Sequence, residues 1–175
     1  VLDGPPREHK PERPRVVVTL GTVVPFVTGL APLARLLCAA RGVDATFVVA
    51  HGAARAPELE PLPPNVQAAS WIGFDVLLPS CHALVHHGGS GTALAALAAG
   101  LPQLVMPCGA DHFVNASTLV RAGVAVRCDA ADVTAAGLAS FLADESLRRR
   151  AADLRAEIAA MPTPADVVPR LVALT

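Results

Sequence analysis

The stretch Ala83–Gly100, ALVHHGGSGTALAALAAG, decides how this 175-residue chain is read. A short apolar strand, Ala83–Val85, runs into two histidines and a Gly-Gly-Ser-Gly-Thr turn. The turn opens an Ala/Leu-rich helix that stops at Gly100, with Pro102 just beyond. A turn of this kind leaves backbone N–H groups unpaired at a helix N-terminus, where the helix dipole is positive. That is a ready-made seat for a phosphate or a diphosphate, and its glycines let an anion approach the backbone closely. His87 and Thr92 add side-chain donors at the same place.

Working outward from this stretch, apolar strands alternate with helical segments. Arg15–Leu20 (RVVVTL) is a continuous apolar strand, as expected where both faces of a sheet are covered. Leu30–Arg41 reads as an amphipathic helix with Leu30, Leu33, Ala34, Leu36 and Leu37 inward. Further strands are expected at Asp44–Ala50, Val66–Ser70, Gln103–Met106 and Val124–Arg127. Phe74–Pro79 reads as a helical turn and Val114–Ala122 as a helix. The tail, Ala131–Thr175, reads as helices, with Leu147, Ala151, Leu154 and Ile158 at helical spacing. The alternation implies an α/β fold: a Rossmann-like parallel sheet of about six strands, with helices on both faces and right-handed crossovers. Ligands then belong at the carboxyl ends of the strands. The loops Gly21–Thr22, Trp71–Asp75, His86–Thr92 and Pro107–Asn115 all fall there.

Composition narrows the function classes. Hydrophobic residues make up 53% of the chain, yet no uncharged apolar run is long enough to span a membrane. The N-terminal stretch lacks the apolar core of a secretion signal, so a cytoplasmic location is expected. A net charge of −1 argues against binding nucleic acid through bulk electrostatics. The four cysteines show no CxxC spacing and read as reduced thiols. Cys81, His82, His86 and Cys108 could be drawn together on paper as a zinc site, but adjacent strand positions point to opposite faces, so no metal is expected. Val1–Pro14 is polar and Pro-rich and reads as an interdomain linker. Residues 15–175 then form one Rossmann-like domain.

Motif by motif, the common nucleotide signatures are missing. After the Gly-Ser-Gly of residues 89–91 a dinucleotide fingerprint requires Gly or Ala where Leu94 stands, and no Gly-Lys-Ser/Thr marks a P-loop. No GxSxG, no HExxH and no hydrolase-like carboxylate pair is present, so no catalytic residue is assigned. Trp71, the single Trp, is either a core residue at a strand end or a flat platform for a nucleobase. Asp111 and His112 either cap and decorate a helix or aim hydrogen-bonding groups at sugar hydroxyls, with Asn115 as a third such group.

The segment WIGFDVLLPSCHALVHHGGSGTALAALAAGLPQLVMPCGADHFVNA resembles the donor-binding signature of family 1 glycosyltransferases with the GT-B fold, in particular the bacterial enzymes that attach deoxysugars to antibiotics and other natural products. VVVTLGTVVP is similar to the first strand and loop of their C-terminal domain, and PTPADVVPRLVAL to their last helix. The resemblance implies one half of a GT-B fold. It implies a diphosphate held by His87, Gly89, Ser90, Gly91, Thr92 and Thr22, a base stacked on Trp71 and bonded by the backbone of Ile72, and a sugar faced by Asp111 and His112. Two positions depart from the family pattern, which commonly has Asp-Gln at 111–112 and often Pro at Gly73. It implies no cofactor beyond the UDP- or TDP-linked donor. It implies an acceptor, a small molecule, bound by an N-terminal domain that also supplies the catalytic base and is absent from this chain. The isolated domain is therefore expected to be inactive. A homodimer is compatible with the sequence. The alternatives are a non-catalytic sugar-nucleotide-binding subunit and half of a sugar-nucleotide epimerase.

Overall fold

The computed structural model describes residues 13–21, 24, 29–51, 61–69 and 72–174. Within them the chain forms β1 (Arg15–Thr19), α1 (Ala31–Ala40), β2 (Thr46–Ala50), β3 (Val66–Ala69), the single turn α2 (Phe74–Leu77) continued by a 3-10 turn (Leu78–Ser80), β4 (Ala83–His86), α3 (Ser90–Ala99), β5 (Gln103–Val105), α4 (His112–Arg121), β6 (Ala125–Arg127), α5 (Ala135–Ala143), α6 (Glu145–Ala159) and α7 (Pro164–Val172). Most of the Pro-rich N-terminal stretch, together with Thr22 and Trp71, lies outside the described residues.

The six strands form one parallel sheet in the order β3-β2-β1-β4-β5-β6. The apolar run of β1 explains its central place, because successive side chains must be buried on opposite faces. Val16 and Val18 enter a cluster with Leu33 and Leu36 of α1, Phe47, Val49 and Val85 of neighbouring strands, and Leu138 and Phe141 of α5. Val17 enters another, with Val48, Leu84, Leu77 of α2 and Ala96 of α3. A third gathers Ala93 of α3, Val105, Ala116 and Leu119 of α4, and Ala151 of α6. Helices thus cover both faces, as the strand pattern requires.

One face assignment needs correction. In α1 the buried stripe is Leu33, Leu36, Leu37 and Ala40, whereas Ala34 is exposed. A period of 3.6 residues puts positions 33, 36–37 and 40 on one line and swings 34 well away from it. The α3 stop is as read: Gly100 takes a left-handed conformation (φ +72°) and donates to the carbonyls of Ala96 and Leu97. Of the tail helices, α6 buries Leu147 and Ala151. α7 begins with a capping box between Thr163 and Asp166 and has no buried residue. Among the described residues, no helix is long and apolar enough to cross a membrane.

The strand order reverses direction between β1 and β4: the chain proceeds from β1 to β2 and β3 on one side, then from β4 to β5 and β6 on the other. In an open α/β sheet, that reversal opens a crevice at the carboxyl ends of the two central strands. Thr19–Gly21 and His86–Thr92 stand there side by side, with Thr19 in register with His86.

Candidate functional site

The site is built from the β4–α3 turn outward. The first helical hydrogen bond of α3 runs from the Ala93 N–H to the Gly89 carbonyl at 3.0 Å. The amides of Ser90, Gly91 and Thr92 therefore precede the helical ladder, and no side chain caps the helix at Gly89. Ser90 and Gly91 are exposed and Thr92 is half-buried, so these donors are accessible. Three open amides and the positive end of a ten-residue helix make an anion seat.

Two glycines shape the approach to it for different reasons. Gly88 turns the chain out of β4 with φ +101°, and a Cβ there would come within 3.0 Å of the His112 carbonyl oxygen. Gly89 has ordinary extended dihedrals (φ −62°, ψ 135°). It needs space instead, because a Cβ would run into Nε2 of His87. From the other strand, a Cβ on Gly21 would reach 2.7 Å from Cε1 of the same ring. His87 is thus clamped between the β1 loop and the start of α3.

The ring of His112, at the head of α4, meets His87 edge-on, with centroids 4.8 Å apart and planes at 82°. Burial, then repulsion from His112, holds His87 below the usual histidine range, while the backbone of Thr19 and the carboxylate of Asp111 act in the opposite sense. His87 is therefore a neutral donor at neutral pH. Its Nδ1 is buried without a well-formed hydrogen bond, and so is Nδ1 of His112. No Lys or Arg stands in Thr19–Gly21, His86–Thr92 or Pro107–His112. What these segments offer an anion is therefore backbone dipoles and imidazole groups.

Asp111 occupies the N-cap position of α4, but its side chain makes no capping bond. Its Oδ2 instead accepts from Nδ2 of Asn115 at 2.9 Å. The same Asn115 amide donates to the Gly88 carbonyl at 2.8 Å. The Nδ2 of Asn115, expected to be a third sugar-reading group, is thus committed to two protein acceptors. Asp111 remains exposed and His112 half-buried beside the seat.

His86 is fully buried, and both its nitrogens are engaged. Nδ1 accepts from the Gly88 N–H at 3.1 Å, and Nε2 lies 2.9 Å from Oε1 of Gln103. Since Nδ1 is an acceptor, Nε2 carries the proton and donates to Gln103. Burial pushes the pKa of His86 down to about 4. A ring so occupied has no lone pair left for zinc, and among the described residues no three His, Cys, Asp or Glu side chains converge on a metal position.

Beyond β3, Ile72 is half-buried against the cluster that contains Ala96 of α3. Gly73 begins α2, and a Cβ there would meet the Asp75 carboxylate. The structure thus brings together His87, Gly89, Ser90, Gly91, Thr92 and His112, tethers Asp111 to them through Asn115, and places Ile72 across α3. Sequence reasoning placed Gly21 in a ligand-facing loop without its part in shaping the His87 slot, gave Asn115 a different role from the one it has in holding the turn, and missed Gln103, which bonds His86.

A parallel sheet in this strand order, with an open helix N-terminus at its reversal point, is the Rossmann-like architecture found in GT-B glycosyltransferases. Residues 34–174 match the domain family described as erythromycin biosynthesis protein CIII-like, C-terminal domain, and the chain belongs to that family. Over 170 residues it is 41% identical to elloramycin glycosyltransferase ElmGT of Streptomyces olivaceus, an alignment covering 97% of this chain and 44% of that protein. Its fold superposes on the glycosyltransferase SnogD of Streptomyces nogalater with a TM-score of 0.86 and 40% identity, covering 99% of this chain and 47% of SnogD. The spinosyn rhamnosyltransferase SpnG, solved in complex with thymidine diphosphate, gives a TM-score of 0.89 at 32% identity, covering 97% of this chain and 48% of SpnG. The chain spans less than half the length of these relatives.

Proposed function

We propose that this chain is the donor-binding part of an inverting, metal-independent glycosyltransferase that moves a deoxysugar from a UDP- or TDP-sugar to a hydroxyl of a small natural-product acceptor. The observation that carries the reading is the uncapped N-terminus of α3, open at the β1–β4 crevice and flanked by His87. Support comes from the names of its relatives and from SpnG, whose structure holds thymidine diphosphate.

In this reading the diphosphate rests on the amides of Ser90, Gly91 and Thr92, with His87 and Thr22 beside it. The base stacks on Trp71 and bonds the Ile72 backbone, while Asp111 and His112 face the sugar. The acceptor oxygen forms a bond to the anomeric carbon as the bond to the diphosphate oxygen breaks. The electron pair leaves with the diphosphate, and the hydroxyl proton goes to a base in the acceptor-binding part of the full protein. What this chain supplies is stabilisation of the charge that grows on the leaving group. Preorganised amides and a helix dipole do this without reorganising, so the reading requires neither a metal nor another cofactor.

Calorimetry with TDP, UDP, GDP, ADP and thymidine tests it. The chain alone presents half a cleft, so a pyrimidine nucleoside diphosphate should bind with Kd on the order of 10 μM to 1 mM, and no sugar transfer should occur. Equal affinity for thymidine and TDP, or robust transfer by this chain alone, contradicts the reading.

A further inference from the structure

The β4–α3 turn is held by a hydrogen-bond chain that starts well away from it. Gln103 opens β5, opposite Leu84 of β4, and is fully buried between apolar layers. A Leu would be the ordinary choice at such a position. Instead Oε1 of Gln103 takes the Nε2–H of His86, and Nε2 of Gln103 is left buried with no partner. A side chain kept in the core with half of its amide unpaired is there for the half that is paired.

What that pairing does can be followed atom by atom. With Nε2–H donating to Gln103, Nδ1 of His86 is bare and accepts the Gly88 N–H. In the other tautomer an Nδ1–H would face that N–H, and the Gly88 peptide would be pushed away. The carbonyl of Gly88 is gripped from the opposite side by Asn115. Gly88 is the residue whose positive φ aims the chain from β4 into α3, and a Cβ on it would meet the backbone of His112. A swing of this one residue would move both the Ser90–Thr92 amides and the head of α4.

We propose that Gln103, His86 and Asn115 are positioning residues for the donor diphosphate: Gln103 selects the His86 tautomer, His86 and Asn115 hold the two ends of Gly88, and Asn115 carries the linkage on to the Asp111 carboxylate. The diphosphate seat and the residues facing the sugar are thereby held as one unit. The inference rests on the donor-binding reading above, and it predicts a state of His86 that can be observed without any ligand.

The test joins imidazole nitrogen NMR of the 175-residue chain to calorimetry with TDP and thymidine as probes. Wild-type His86 should show a protonated Nε2 and a bare Nδ1. In Gln103→Leu that tautomer should lose its dominance, and TDP affinity should fall about three- to tenfold while thymidine affinity holds, because one hydrogen bond no longer fixes the amides. Asn115→Ala, on the more exposed α4, should lower the TDP-to-thymidine ratio in the same way while leaving the His86 tautomer intact. It serves as the second probe where Gln103→Leu does not fold. A merely structural role would lower the melting temperature of these variants without moving the ratio. An Nδ1–H tautomer in the wild type overturns the proposal, as does an unchanged ratio in the folded variants. If the wild type binds neither TDP nor UDP, the donor reading falls and this proposal with it. If the wild type binds TDP but no variant moves the ratio, this proposal alone falls.

Discussion

Acid should unfold this protein partly through one side chain. His86 is buried, and its pKa is held at about 4, against 6.5 for an ordinary histidine in the unfolded chain. The folded state therefore resists a proton that the unfolded state accepts. The stability associated with neutral His86 is fully present above pH 6.5, declines as pH falls below that value, and is lost once pH passes about 4. At about 1.4 kcal/mol per pKa unit, the total loss is roughly 3 kcal/mol. That is a large share of a typical domain's stability of about 5–15 kcal/mol. The assay is urea denaturation from pH 7 down to pH 4, comparing wild type with His86→Asn, which removes the titrating group. Slopes, not absolute stabilities, carry the test, since the substitution also changes the baseline. Wild type should lose up to about 1.4 kcal/mol per pH unit more than the variant within this window. Parallel slopes would refute the claim that burial keeps His86 neutral, and with it the assigned tautomer.

Other substitutions separate the parts of the site. His87→Ala should weaken TDP binding by roughly 1–3 kcal/mol and leave thymidine unaffected, read by calorimetry; equal losses for both ligands would make His87 structural only. Gly88→Ala forces φ +101° on a residue with a Cβ and drives that Cβ against the His112 backbone. It should destabilise the fold by roughly 1–3 kcal/mol in urea titrations, and a neutral result would show that the turn is not constrained as described. Asp111→Ala should lower affinity for a TDP-sugar more than for TDP, and His112→Gln should change which sugar is preferred, both measured as affinity ratios in the full-length protein. Ratios that stay put in both variants would remove Asp111 and His112 from sugar recognition.

The fold was legible where periodicity carried it. The run Val16–Val18 could only be a strand covered on both faces, and the Ala/Leu-rich segment closed by Gly100 could only be a helix with that stop. The open amides at the start of α3 were legible for the same local reason, since glycines followed by a helix expose amides. Periodicity failed at Ala34, where an alternative line of apolar residues satisfied the helix better. Roles that depend on pairing were not legible. Gln103 is 17 residues from His86, and nothing in either neighbourhood announces the bond between them. Asn115 resembled a ligand-reading group because its real acceptors, the Gly88 carbonyl and the Asp111 carboxylate, meet it only in three dimensions. Gly21 was legible as part of a loop at the ligand edge, but its contact with the His87 ring arises only in three dimensions.

The most direct test of the proposed diphosphate seat is an amide NMR titration of the chain with TDP and, separately, with thymidine. TDP should shift the backbone N–H signals of Ser90, Gly91 and Thr92 together with the His87 ring, and thymidine should leave these signals in place. Saturating TDP shifts that bypass Ser90–Thr92 would contradict the account.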